Sequence, residues 1–192
     1  MTSHTVMPTK LRIAAILLAS APAVAAQENR PAGFQEAGPV IASTGMSVVV
    51  DAPTFVVPDG HVFKVVYVID AGGGDTLHAN AQLTTMARFY NLHARHGIPK
   101  ERIRAAAVVH GSGWTALLSD SAFAARFGAR TNPSRRMVQE LMAQGAQLVL
   151  CGQTAGIRGV RRDELLPGVR VAISAMTALN VFQADGYRYN PW

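Results

Sequence analysis

Cysteine is almost absent: Cys151 is the one such residue in 192. No disulfide can form within the chain, which excludes the disulfide-stapled class of secreted domain. Three roles remain for the thiol: an intermolecular bridge, a buried side chain packing as a small hydrophobe, or a group kept for chemistry. Basic residues interleaved with aromatics are also missing. Lys and Arg total 18 against 12 Asp and Glu. The arginines fall in short clusters, Arg102-Arg104, Arg135-Arg136 and Arg158-Arg161-Arg162, and not in a stripe, so nucleic acid is not an expected partner. Solvated faces account for the first two clusters. The third flanks Cys151, where it either faces solvent or attracts small anions.

Nor is there an apolar run of the roughly 20 residues that a membrane span needs. The longest candidate, Ile13 to Ala19, follows Lys10 and Arg12 and precedes Pro22 and the small-residue sites Ala23-Val24-Ala25 or Val24-Ala25-Ala26. That pattern reads as a cleavable signal peptide over residues 1–26, giving a periplasmic protein that begins at Gln27 and has no membrane association after cleavage. Repeats and low-complexity segments are lacking too. Gly72-Gly73-Gly74 is not part of a G-x-G-x-x-G motif, and no Lys-Ser/Thr follows it, so a nucleotide site is not expected. His93 and His96 lie three apart on a helical stretch but have no evident third ligand, so neither a metal nor another cofactor is implied.

After a leader over residues 27–60, polar as far as Gly38 and then with short strands between Val40 and Val57, the chain from residue 61 to 192 alternates apolar strands with amphipathic helices. Strands are expected at Val65–Ile69, Ile103–Val109, Gln147–Cys151 and Val169–Ile173. A long helix presents Leu83, Met86, Ala87, Tyr90 and Ala94 on one face and stops at Gly97. Further helices are expected from about Pro133 to Ala143 and from Ala175 to Ala184. This order implies right-handed crossovers: a three-layer α/β/α domain with a mostly parallel sheet.

In such a sheet, ligands meet the carboxyl ends of the strands. Asp70, His110, Cys151 and Ser174 close the four strands in turn, and neighbouring ends lie about 5 Å apart. Cys151 also precedes a short helix whose N–H groups and partial positive charge would favour the thiolate. His110 is a candidate to lower the thiol pKa or relay a proton, Asp70 to orient a polar group, and Ser174 to donate a hydrogen bond. Asp70 and Ser174 could equally cap the helices after them, and His110 could hydrogen-bond a loop carbonyl.

Val108-Val109-His110-Gly111, Asn132-Pro133, Leu150-Cys151-Gly152-Gln153 with Arg158-Gly159, and Leu165-Leu166-Pro167-Gly168 through Ser174-Ala175-Met176-Thr177-Ala178-Leu179 together resemble the DsrE/DsrF-like family of sulfur-relay proteins, over Lys64 to about Tyr189. The resemblance implies an α/β/α domain assembling as a homotrimer or homohexamer, with Cys151 near a subunit boundary. It makes Cys151 the counterpart of a persulfide-carrying cysteine, with Gly152, Gln153 and Arg158 in its segment. A protein that donates or accepts sulfur is the corresponding partner. A non-catalytic oligomeric module that binds a small anion in the same crevice is the alternative.

Overall fold

The computed structural model describes Met1 and residues 30–73, 75–128 and 131–191. Apart from Met1, the signal-peptide reading lies outside these residues, as does Trp192. Three largely apolar central strands and two short edge strands build a five-stranded parallel sheet: β3 (Phe63–Ile69), β4 (Ile103–Val109), β5 (Gln147–Cys151), β6 (Arg170–Ala172) and β7 (Arg188–Tyr189), in the order β6-β5-β4-β3-β7. One face carries Val65, Tyr67, Ile69, Ala105, Ala107, Val109, Leu148 and Leu150. It packs on Leu83, Met86 and Tyr90 of α1 (Ala81–Arg95), Phe123 of α2 (Asp120–Phe127), and Met137 and Leu141 of α3 (Arg135–Ala143). The opposite face carries Val66, Ala106, Val108 and Val149 and packs on Ala178 and Phe182 of α5 (Ala175–Ala184) and on Tyr187. This period-two division across a doubly covered sheet explains why the strands read as nearly continuous apolar runs.

Three elements differ from the sequence expectation. α2 was not anticipated; Ser119 caps it through an Oγ that accepts from the Ala122 N–H. After α5 the chain forms a further element that was not anticipated. Tyr187 is buried against Phe182, and the two residues after it pair with Val65 and Val66 as an added edge strand. The short strands β1 (Phe34–Gln35) and β2 (Ser47–Val48) pair with each other, so part of the expected polar leader is ordered.

The segment around them is held by α1. Buried Asn91 accepts from the Val40 and Ile41 N–H groups at 3.1 and 2.8 Å and donates to the carbonyls of Ile41, Thr44 and Gly45. Arg95 reaches Ser47 and the Ala37 carbonyl, and the Ser43 hydroxyl donates to Glu140 of α3 at 2.7 Å. Ile41 of this strap is completely buried in the core. Among the described residues, no helix is long and apolar enough to cross a membrane.

Candidate functional site

Register fixes the placement of the strand-end residues. Ile69 pairs with Val109, Val109 with Leu150, and Cys151 with Ala172. Asp70, His110, Cys151 and Ser174 therefore follow one another along one rim of the sheet. The side chain of Cys151 shares the face of Val149, two residues before it, which is the α5 face.

Cys151 is the N-cap residue of α4 (Gly152–Arg158), and its side chain is only 6% exposed. Burial pushes the thiol upward. It is outweighed by the backbone N–H groups of Thr154, Ala175 and Gln153 and the Thr154 hydroxyl, whose dipoles face the sulfur and together hold the thiol below its ordinary value, although Cys151 makes no side-chain capping hydrogen bond at the start of α4. Two helix starts converge on one sulfur: Gln153 and Thr154 belong to α4 and Ala175 opens α5. Donors and partial positive charge from both favour a thiolate.

The residues next to the thiol build this arrangement. A Cβ at Gly152 would lie 2.4 Å from the Ala172 carbonyl oxygen and 3.0 Å from that of Ile173, so glycine lets α4 start against the end of β6. The Gln153 amide donates to the Ile173 carbonyl at 3.2 Å, tying the two helix starts together. Ser174 is the N-cap of α5; its Oγ accepts from the Thr177 N–H at 3.0 Å and meets the Thr177 hydroxyl at 2.9 Å. Its part is thus capping, which positions Ala175.

His110 and Asp70 do other work. The His110 N–H donates to the Ile69 carbonyl and its carbonyl accepts from Gly113. Its ring makes no hydrogen bond among the described residues, and it is not among the groups that shift Cys151. The Asp70 carboxylate accepts from the Gln82 amide at 2.8 Å, while Gln82 Oε1 accepts from the N–H groups of Asp70 and Ala71. That clamp turns Asp70 toward α1 and leaves it outside the groups facing the thiol.

The third arginine cluster does not supply cations to the thiol either. Arg158 sits at the far end of α4, where Arg126 donates to its carbonyl and to that of Gly159. Arg161 pairs with Asp163 at 3.1 Å, and Arg126 with Glu164 at 3.0 Å. Arg102 braces the approach to β3 through the carbonyls of His61 and Pro58, while Arg135 and Arg136 pair with Asp120 and Glu140.

The glycine loop is no phosphate cradle: a Cβ at Gly72 would meet Asn80 at 2.5 Å and one at Gly73 would meet the Ser112 carbonyl at 2.2 Å. These glycines serve close backbone approach at the rim. His93 and His96 turn Nδ1 to the Phe89 and Leu92 carbonyls, and His96 Nε2 accepts from the Val50 N–H. Among the described residues no three metal-ligating side chains gather.

Thr154 and Ala175 are the site residues that sequence reasoning passed over. Thr154 was recoverable, because the N–H groups of the second and third helical residues face the N-cap position. Ala175 comes from a different element and left no local signal.

Comparison with known proteins agrees with this architecture. No curated protein matches the chain. Among solved structures, the chain is similar to the ychN protein of E. coli, at 14% identity and a TM-score of 0.50, over 68% of this chain and all of that one. It is also similar to a protein of unknown function from Methanobacterium thermoautotrophicum, at 25% identity and a TM-score of 0.48, over 68% of this chain and 99% of that one. The family model described as the DsrE/DsrF-like family matches residues 64–191, which include every strand of the parallel sheet but the first residue of β3, together with Cys151 and both helix starts around it. The chain belongs to the DsrE/DsrF-like family, whose members are generally related to sulfur relay.

Proposed function

We propose that Cys151 accepts sulfane sulfur as a persulfide and passes the outer sulfur to an acceptor thiol. One observation carries this reading: the sulfur sits where two helix starts and the Thr154 hydroxyl hold the thiol below its ordinary value although it is buried. The thiolate is the form that attacks a sulfur donor. In the forward step Cys151 Sγ bonds to the donor's outer sulfur as the donor's S–S bond breaks. In the second step an acceptor thiolate takes that sulfur and releases the Cys151 thiolate. The same N–H groups stabilise Sγ when it leaves, because charge returns to it then.

The proposal includes export, for which the signal-peptide pattern of the amino-terminal segment is the support, and self-association as a trimer or hexamer, which the family resemblance implies. A second reading, a binding module in which Cys151 merely lines the crevice, is favoured by the 6% exposure of the thiol. Intact mass after incubation with inorganic polysulfide separates them. The carrier gains one sulfur atom, removable by dithiothreitol and absent in Cys151→Ser. A folded protein whose thiol alkylates only in denaturant would reject the carrier.

A further inference from the structure

α5 is the one helix packed on its face of the sheet among the described residues, and it leaves a groove open along β6. The groove has a volume of about 340 Å³ and is walled by Val149, Ala172, Ile173, Ala178, Val181 and Phe182. Its one charged lining residue, Arg170, donates to the side-chain amide oxygen of Gln147. Ile173, Met176 and Val181 are 78%, 79% and 53% exposed, so this side of the domain presents large apolar side chains to solvent. Such residues side by side mark a binding surface.

The groove runs beside the strand end that carries the thiol, although Cys151 is not itself one of its walls. Cys151 follows Val149 on the same sheet face and pairs with Ala172, and Ala175, whose N–H faces the sulfur, begins the helix whose Thr177, Ala178 and Val181 line the groove. One cation lines the groove: Arg170 keeps its charge, since its partner Gln147 is a neutral amide, but it stands at the start of β6, two residues before the Ala172 that pairs with Cys151. Arg161 and Arg126 are paired with Asp163 and Glu164, and Arg158 lies at the far end of α4. A small dianion such as thiosulfate would lose its hydration against mostly apolar walls, with its one cation away from the thiol's end. An apolar chain would instead gain from burial.

Resting on the carrier reading above, we propose that the groove is a donor subsite: Cys151 takes sulfane sulfur from low-molecular-weight hydropersulfides borne on an apolar chain, R–S–SH. Val149, Ile173, Val181 and Phe182 hold the chain R. The Cys151 thiolate attacks the outer sulfur; the Sγ–S bond forms, the donor S–S bond breaks, and its electron pair leaves on R–S⁻, which takes a proton from water. The outer sulfur keeps its own proton, so no external oxidant or reductant is required. Val149, Val181 and Phe182 act on specificity alone and touch no reacting atom.

The test compares two donors with the same reactive group, benzyl hydropersulfide and glutathione hydropersulfide, each released in situ from a precursor. Initial loading of the purified protein is read by intact mass, and the benzyl-to-glutathione rate ratio is divided by the same ratio for a cysteine model peptide. The expected quotient is about tenfold, which equals about 1.4 kcal/mol. Val181→Glu should bring it to one, with Val181→Ser as the milder substitute if the glutamate variant does not fold. A quotient of one in the unsubstituted protein overturns the proposal, whether the groove is idle or filled by a second copy. In that case the carrier reading survives if both donors load. If neither donor loads while iodoacetamide alkylates the folded protein, the carrier reading itself fails.

Discussion

Gly152→Ala tests whether the thiol site depends on the contact between α4 and the end of β6. The added Cβ would lie 2.4 Å from the Ala172 oxygen, against an ordinary contact of 3.4 Å or more, so this backbone must retreat by about 1 Å. Neither that atom nor the Ile173 oxygen at 3.0 Å can swing aside, because both are main chain. Overpacking of this kind costs about 1–3 kcal/mol. With a urea m-value of about 2 kcal/mol per molar, the unfolding midpoint should fall by about 0.5–1.5 M. The displaced segment runs directly into Ser174 and Ala175, so one N–H donor moves away from Sγ. The thiol should then titrate higher and react more slowly with iodoacetamide near neutral pH. Gly156→Ala on the same helix is the control: its Cβ would meet nothing within 4 Å, and replacing a helical glycine should gain about 0.5–1 kcal/mol with the alkylation rate unchanged. Unfolding is followed by tryptophan fluorescence, through buried Trp114. The reasoning is refuted if Gly152→Ala matches the unsubstituted protein in both readouts, or if the two variants shift the midpoint in the same direction.

Four further outcomes are expected. Because the Cys151 thiol lies lower in the folded chain than its reference value of 9.0, its ionisation stabilises the fold fully above that value and the contribution is lost as pH falls through the folded pKa; the stability difference between the protein and Cys151→Ser should grow toward alkaline pH, and a flat difference would contradict the lowered pKa. His110→Ala should leave the alkylation rate unchanged, since the ring is not among the groups acting on Cys151; a several-fold loss would restore His110 to the site. Ser174→Ala removes the cap of α5 and should cost about 1 kcal/mol in urea unfolding while slowing alkylation; loss of stability with an unaltered thiol would separate the cap from the site. Asn91→Leu leaves the Val40 and Ile41 N–H groups and the Thr44 and Gly45 carbonyls of the strap without their partner, while the Ile41 carbonyl keeps the Gly38 N–H, costing about 2–4 kcal/mol, and hydrogen exchange should rise over residues 40–45 before the sheet opens.

The parallel sheet was legible because each strand is an apolar run bounded by glycine, proline or charge, and α1 because Leu83, Met86, Ala87 and Tyr90 recur at helical spacing. β7 was not, since Arg188 and Tyr189 are exposed and become strand only by pairing with β3, a tertiary effect that no two-residue pattern announces. The strap was misjudged for a similar reason: Asn91 satisfies its backbone from another element, 46 to 51 residues away. At the site, strand-end counting correctly placed Cys151 and Ser174 on one rim. It could not tell that Gln82 would claim Asp70, or that Asp163 and Glu164 would occupy Arg161 and Arg126. Neighbouring positions in a register do not fix which side chains bond.

Transfer of labelled sulfur is the most direct test of the central claim. The protein is loaded with ³⁵S-polysulfide labelled in its sulfane sulfur, freed of excess reagent, and mixed with an acceptor thiol in a single turnover. The account predicts one label per chain on Cys151, passed stoichiometrically to the acceptor with return of the reactive thiolate, and none in Cys151→Ser. Label that stays on the protein, or that Cys151→Ser takes up equally, would contradict it.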